Sequence, residues 1–268
     1  MARVPEFDHY MNLMWADYVL MNPQAQKIYN LFSHAGENVE NDHIALRTFN
    51  HPRLGISSLA QHFLPYGYQI SGEYFFVEKK LYAQHLEHED KSYPKIFISE
   101  LELEKMSPFV RETLNQCVHQ IPNDKINDPQ FVFSGKHWVT YHSTYQKLAA
   151  ESEYASWVYA YGFRPNHFTV NINNLKNFSH IHRLNDFIKM NGFKLNASGG
   201  EIKGTPAELL EQSSTMAPEV NVQFADGIYA LPGCYYEFAK RYPMNNGELY
   251  HGFIAKSADK IFESTNKT

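Results

Sequence analysis

The sequence predicts an α+β fold: two βαβββ modules that form a half-open β-barrel, with helices at the N-terminus and a helical insertion between the modules. Two observations carry this. Asp42-His43-Ile44-Ala45-Leu46-Arg47-Thr48-Phe49 is echoed about 124 residues later by Asn166-His167-Phe168-Thr169-Val170-Asn171-Ile172. In each copy a polar residue and a His open an alternating apolar/polar run, the pattern of a half-buried strand. The echo also continues downstream: Leu59-Ala60-Gln61-His62-Phe63 leads to Gly67-Tyr68, and Leu184-Asn185-Asp186-Phe187-Ile188 leads to Gly192-Phe193. Ser71-Gly72-Glu73 is then answered by Gly199-Gly200-Glu201. A supersecondary unit used twice is a duplicated module. The organisation expected is a single domain over 1–268, with a first module at 40–104, a helical insertion at 105–163, and a second module with the C-terminal tail at 164–268.

The elements follow in order. Tyr10, Met14, Tyr18 and Met21 recur at helical spacing, so residues 8–34 are read as a helical segment. Residues 43–49 form the first strand. Ser57 or Ser58 caps a helix reaching Leu64, ended by Pro65 and Gly67. Residues 74–77, 81–88 and 95–103 are strand-like, with Glu89-Asp90-Lys91 and Pro94 turning the chain before the last. Ser107-Pro108 places an N-cap and a first-turn proline on a helix through Val118. Residues 143–162, rich in Ala, Tyr and Trp157, form a second helical stretch whose aromatics either cover a cavity or act as a packing spacer. In the second module Asn177 or Ser179 caps a helix ending at Gly192, and residues 219–225 and 234–239 supply the last strands. About the last four residues of the tail are expected to be free.

Composition narrows the function. The chain has 268 residues, 43% apolar and 20% charged, the balance of a globular protein. Aromatic residues reach 15%, with 18 Tyr and 19 Phe, which suits a sheet-rich core. A net charge of −5 without a basic run argues against nucleic acid as a partner. No apolar run approaches the ~20 residues of a membrane span, and no signal-peptide core is present. Two cysteines, Cys117 and Cys234, make neither a disulfide framework nor a zinc finger, so a cytoplasmic setting is expected. Oligomeric state is not encoded legibly.

The chemistry lies among 14 histidines. His9, His34, His51, His62, His119 and His251 sit in polar or turn-like surroundings. His85 and His88 point to opposite faces of a strand, and His180 and His182 diverge on a helix, so neither pair suits one ion. His43 and His167 open equivalent strands, and pseudo-twofold pairing of the modules would bring them together. Glu237, in Cys234-Tyr235-Tyr236-Glu237-Phe238, is a carboxylate among aromatics, costly to bury unless paired or metal-bound. Its looser counterpart in the first module falls near Glu100, whose contact with a metal is left open. Two His and one carboxylate with open positions suit non-haem Fe(II), and also Zn(II), Ni(II) or Mn(II). Alternatively Glu237 pairs with Lys240 or Arg241. Arg47 lies four residues beyond His43 on the same strand face, roughly 13 Å along it. That spacing fits a dicarboxylate gripped at one end by metal and at the other by a guanidinium fork; a structural salt bridge is the competing role.

These residues carry a resemblance. The 42–49 motif, His167, Tyr236-Glu237-Phe238 and the Ser257-Ala258-Asp259-Lys260-Ile261-Phe262-Glu263-Ser264 tail resemble the DUF1338 family of 2-oxoadipate dioxygenase/decarboxylases, which are of vicinal-oxygen-chelate type. The resemblance implies an Fe(II) enzyme of lysine catabolism that uses O2 to turn 2-oxoadipate into 2-hydroxyglutarate and CO2. It implies His43, His167 and Glu237 as metal ligands and Arg47 as the arginine that binds the substrate carboxylate. It also implies a pocket lined near Ala255 and Ser257. Tyr235, Tyr236 and the inserted helices would then keep water from the reacting centre. Other classes use such paired modules too: metal-dependent isomerases, lyases and hydrolases of small carboxylic acids, or a protein that only captures a small acid.

Overall fold

A computed structural model describes residues 5–265. The chain opens with α1 (Pro5–Met21) and α2 (Pro23–His34), the helices expected at the N-terminus. Pro23 has no N–H to continue the first helix and disfavours helical geometry at Asn22. The first half follows as β1 (Asn41–Phe49), α3 (Ile56–Ala60), β2 (Tyr68–Phe76), β3 (Leu81–His88) and β4 (Lys95–Leu101). Three helices come next: α4 (Pro108–His119), α5 (His142–Glu151) and α6 (Glu153–Tyr161). The second half comprises β5 (Pro165–Asn171), α7 (Ile181–Met190), β6 (Lys203–Thr205), β7 (Leu210–Ser214), β8 (Glu219–Phe224), β9 (Gly227–Pro232) and β10 (Tyr235–Arg241), and α8 (Ala255–Phe262) follows.

Eight strands form one sheet in the order β2-β3-β4-β1-β5-β10-β7-β6. β1 runs parallel to β4 and β5 parallel to β10, while β1 and β5 meet antiparallel at the centre. Each half therefore reads strand, helix, three strands in the same spatial order, and a pseudo-twofold axis passes between β1 and β5. Gly67 and Gly192 occupy matching left-handed positions, φ +93° and +85°, after the helical stretch of each half.

Several expectations are corrected here. The strand at 219–225 belongs to a separate two-stranded sheet, β8-β9, and the second half's middle strands are β6 and β7. Both escape a pattern search because β6 has three residues and β7 reads Leu-Glu-Gln-Ser-Ser, without apolar alternation. α3 is five residues long, with Gly55 at its N-cap and no serine cap. The carboxylate of Glu100 accepts the Ile56 N–H at 2.8 Å instead. α7 starts after His180 without a side-chain cap, and the Asn177 N–H is bound by Glu37. Ser107 does cap α4, accepting from Val110 N. The inserted helical stretch is broken at Ser152, which caps α6 through Ala155 N. Gly72 and the Gly199-Gly200 turn are not equivalent: Gly72 lies within β2, where a Cβ would come within 2.8 Å of the His85 ring.

β1 is not half-buried. Every residue from Asp42 to Phe49 is buried, and so is β5 apart from its last residue. The convex face packs on helices, with Trp15 and Tyr18 against Phe168 and Tyr236, and Phe32 against Phe238. The polar alternate positions of β1 and β5 face the concave interior. α8 lies against β2, β6 and β7, so it bridges both edges of the sheet and closes its mouth. The tail is ordered further than expected: Thr265 is buried and bonded to Glu153, while 266–268 lie outside the described residues. Cys117 and Cys234 are free and buried. Among the described residues no helix is long and apolar enough to cross a membrane.

Candidate metal centre

Two bulges in the central strand pair build the site. Between β1 and β5 the register skips Asp42 on one side and Asn166 on the other. Successive strand side chains normally point to opposite faces, but a bulged residue can turn toward its neighbour's side. Asp42 Oδ1 accordingly meets His43 Nδ1 at 2.7 Å, and Asn166 Oδ1 meets His167 Nδ1 at 3.1 Å. Each oxygen accepts the Nδ1 proton, which leaves the Nε2 lone pair of each ring turned toward the interior.

There the two imidazoles stand at 86° to one another, with ring centres 5.5 Å apart. Glu237 arrives from β10, with its oxygens 3.5 Å from His43 Nε2 and 3.3 Å from His167 Nε2. One ligand atom from each residue lies within 4.8 Å of the others, and all three residues are buried. Gln212 donates to Glu237 Oε1 at 2.6 Å, and Oε2 has no hydrogen-bond partner. A buried carboxylate oxygen without a partner beside two oriented Nε2 atoms fits a divalent cation. Glu237 does not pair with Lys240 or Arg241 as the competing reading had it, since Arg241 forks onto Asp42 through Nε at 2.6 Å and Nη2 at 2.8 Å.

Burial sets the protonation. It pushes Glu237 up to about 8, against the pull of the Gln212 hydrogen bond. It pulls His167 well below its ordinary value, helped by the His43 and Arg47 charges, and lowers His43 despite Asp42. Both imidazoles are thus neutral donors at neutral pH. The metal-free fold binds a Glu237 proton between pH 4.5, the ordinary value, and about 8, where the unfolded chain has released it. The Glu237 contribution to stability therefore falls as pH rises through that window, by at most about 1.4 kcal/mol per pH unit. It is unopposed only above pH 6.5, the ordinary His value, because the lowered His43 and His167 act with the opposite sign below it. Thermal unfolding of the chelated protein against pH should show this slope, and Glu237→Gln should remove it.

Asp42 and Arg241 orient this centre, and neither role was visible in the sequence. Burial alone would raise Asp42, yet Arg241 and His43 hold it well below the usual carboxylate range. Arg241 Nη1 also donates to the carbonyls of Tyr250 and Gly252, which places Phe253 4.8 Å from the His43 ring. The repeated Asx-His pair was the one available signal. Asp42→Asn would set an amide NH2 against the Arg241 donors. It should weaken metal affinity about 10–100-fold and cost about 3–5 kcal/mol of stability. Metal titration and thermal unfolding read the two effects.

Arg47 is buried on the same face. Tyr154, Trp157 and Phe262 surround its guanidinium at 4.9, 5.1 and 5.6 Å from their ring centres. Nη1 donates to Glu153 Oε1 at 3.0 Å, the structural salt bridge considered above, while Nε and Nη2 have no partner. Tyr235 stacks on His167 at 4.5 Å, and its buried hydroxyl also lacks a partner. Tyr236 faces the convex side and is not a wall of this interior. Ala255 opens α8 and Ser257 lies buried near Gly204, whereas Phe253 is the residue of that segment packed on the His pair. Glu100 belongs to the α3 start. The register shows why: two residues beyond each His, Ala45 faces Phe97 and Thr169 faces Glu237, so Phe97 is the equivalent of Glu237.

Two βαβββ halves sharing an interior with a His-His-carboxylate set define a vicinal-oxygen-chelate fold with a candidate metal centre. Residues 1–248 match the 2-oxoadipate dioxygenase/decarboxylase family. The chain belongs to that family and is an enzyme. It is 35% identical over 277 residues to the chloroplastic/amyloplastic 2-oxoadipate dioxygenase/decarboxylase of Oryza sativa subsp. japonica, covering 93% of this chain and 76% of that one. The crystal structure of Oryza sativa hydroxyglutarate synthase in complex with 2-oxoadipate superposes with a TM-score of 0.89 at 32% identity, covering 99% of this chain and 97% of that one. A Shewanella frigidimarina protein described as a hydrolase gives a TM-score of 0.89 at 51% identity, covering 92% and 97%.

Proposed function

We propose that this protein is an Fe(II)-dependent dioxygenase/decarboxylase that converts 2-oxoadipate and O2 to 2-hydroxyglutarate and CO2. The observation that carries this is the shared burial of a three-donor metal set and an arginine with two unpartnered N–H groups. His43 Nε2, His167 Nε2 and Glu237 would hold the ion. When bound, iron supplies O2 activation and a chelation point for the 2-oxo acid end of the substrate.

The protein's own residues do the rest. Nε and Nη2 of Arg47 form a free donor edge for the distal carboxylate, and Tyr235, stacked on the His167 ring, adds a buried hydroxyl without a partner. Tyr154, Trp157, Phe253 and Phe97 make the surroundings apolar, which excludes water from the reacting end. The free, buried thiols fit a reducing compartment.

Oxygen uptake with added ferrous iron across a panel of 2-oxo acids tests the reading. The expected result is consumption of one O2 per CO2 released, fastest with 2-oxoadipate. Turnover of a small acid without oxygen uptake would instead indicate a Lewis-acid isomerase, lyase or hydrolase. Binding without metal-dependent turnover would indicate a capture protein.

A further inference from the structure

A small cleft of about 180 Å³ opens at the surface beside Arg47, lined in part by Lys79, Lys80, Glu151, Glu153, Tyr154 and Phe262, with Glu78 a further carboxylate on its wall. Three of these are shared with the arginine's surroundings: Tyr154 and Phe262 pack on the guanidinium, and Glu153 bonds it. The Arg47 side chain is 1% exposed and that of Glu153 30%. Glu153 thus reaches from solvent to a buried cation. Its Oε1 is also held by the Thr265 hydroxyl at the end of the tail.

We infer that Glu153 is a resident carboxylate that neutralises Arg47 in the empty enzyme and yields to the distal carboxylate of a dicarboxylic 2-oxo acid entering through this cleft. This rests on the reading under Proposed function. A buried guanidinium without a counter-charge is costly, so the empty site needs an anion. Glu153 supplies one on Nη1 while leaving the Nε/Nη2 edge open. A second carboxylate on that edge faces like-charge repulsion from Glu153, which is relieved when Glu153 swings into the cleft beside Lys79 and Lys80. Glu151, on the same wall, is engaged by the N–H and hydroxyl of Ser107. The exchange gives specificity: a dicarboxylate replaces one anion with another, whereas a monocarboxylic 2-oxo acid presents an apolar end to a charged pair that stays closed.

The test uses the iron-loaded enzyme with 2-oxoadipate and the monocarboxylic 2-oxohexanoate. Glu153→Gln should lower KM for 2-oxoadipate by about tenfold by removing the like charge and should not lower it for 2-oxohexanoate, whose apolar end meets the guanidinium in either case. Thr265→Val, which frees Glu153 without altering its charge, should shift KM in the same direction by a smaller factor and serves where Glu153→Gln folds poorly. A purely structural Glu153 would raise KM or depress kcat for both substrates, and that result overturns the inference. An unchanged KM for 2-oxoadipate in both variants overturns it as well. If the unmodified enzyme fails to turn over 2-oxoadipate, the proposed function falls and takes this inference with it.

Discussion

Glu237→Ala should leave the purified protein without stoichiometric iron and without measurable turnover. Glu237 is the one carboxylate of the three-donor set, it is fully buried, and its Oε2 has no other partner. Losing an outer partner of a metal ligand costs about 10–100-fold in affinity, and losing the anionic ligand itself should exceed that. His43→Ala should behave alike, since its Nε2 is one of two imidazole donors. Elemental analysis beside kcat separates outcomes: an inactive variant that keeps full iron would remove Glu237 from the coordination sphere. In the metal-free state Glu237→Gln, the shape-preserving companion, should unfold no lower than the unmodified protein.

Arg47→Lys should raise KM for a dicarboxylic 2-oxo acid by about 10–100-fold while changing that for a monocarboxylic one little. The guanidinium offers a planar edge of two N–H donors, and an ammonium offers a point charge on a flexible stem. Tyr154, Trp157 and Phe262 hold the fork flat, so the lysine would also lose its aromatic enclosure. Equal effects on both substrate classes would show that Arg47 does not read the distal carboxylate.

Much of the centre was legible because duplication repeats an Asx-His pair at a matched place. His43 and His167 pair on the sequence alone, and Glu237 stands out as an acid among aromatics. What was not legible depends on contacts far apart in the chain or on departures from ideal strands. Glu153 reaches Arg47 from α6, 106 positions away. Asp42 and Asn166 address the neighbouring His only because the β1-β5 ladder is bulged at both places, which alternation alone denies. β7 stayed hidden because its interior-facing residues are Gln212 and Ser214, polar groups that serve Glu237 and the tail rather than an apolar core. The looser offset from Glu237 falls near Glu100, whereas the parallel pairing of β1 with β4 matches Glu237 to Phe97.

Phe97 holds the position that Glu237 holds in the other half, and the inequality matters. Had both halves kept an acid there, four protein groups would surround the ion, leaving little coordination space for outside molecules. A hydrocarbon ring on one side instead breaks the symmetry and would leave that quadrant of a bound ion to outside molecules.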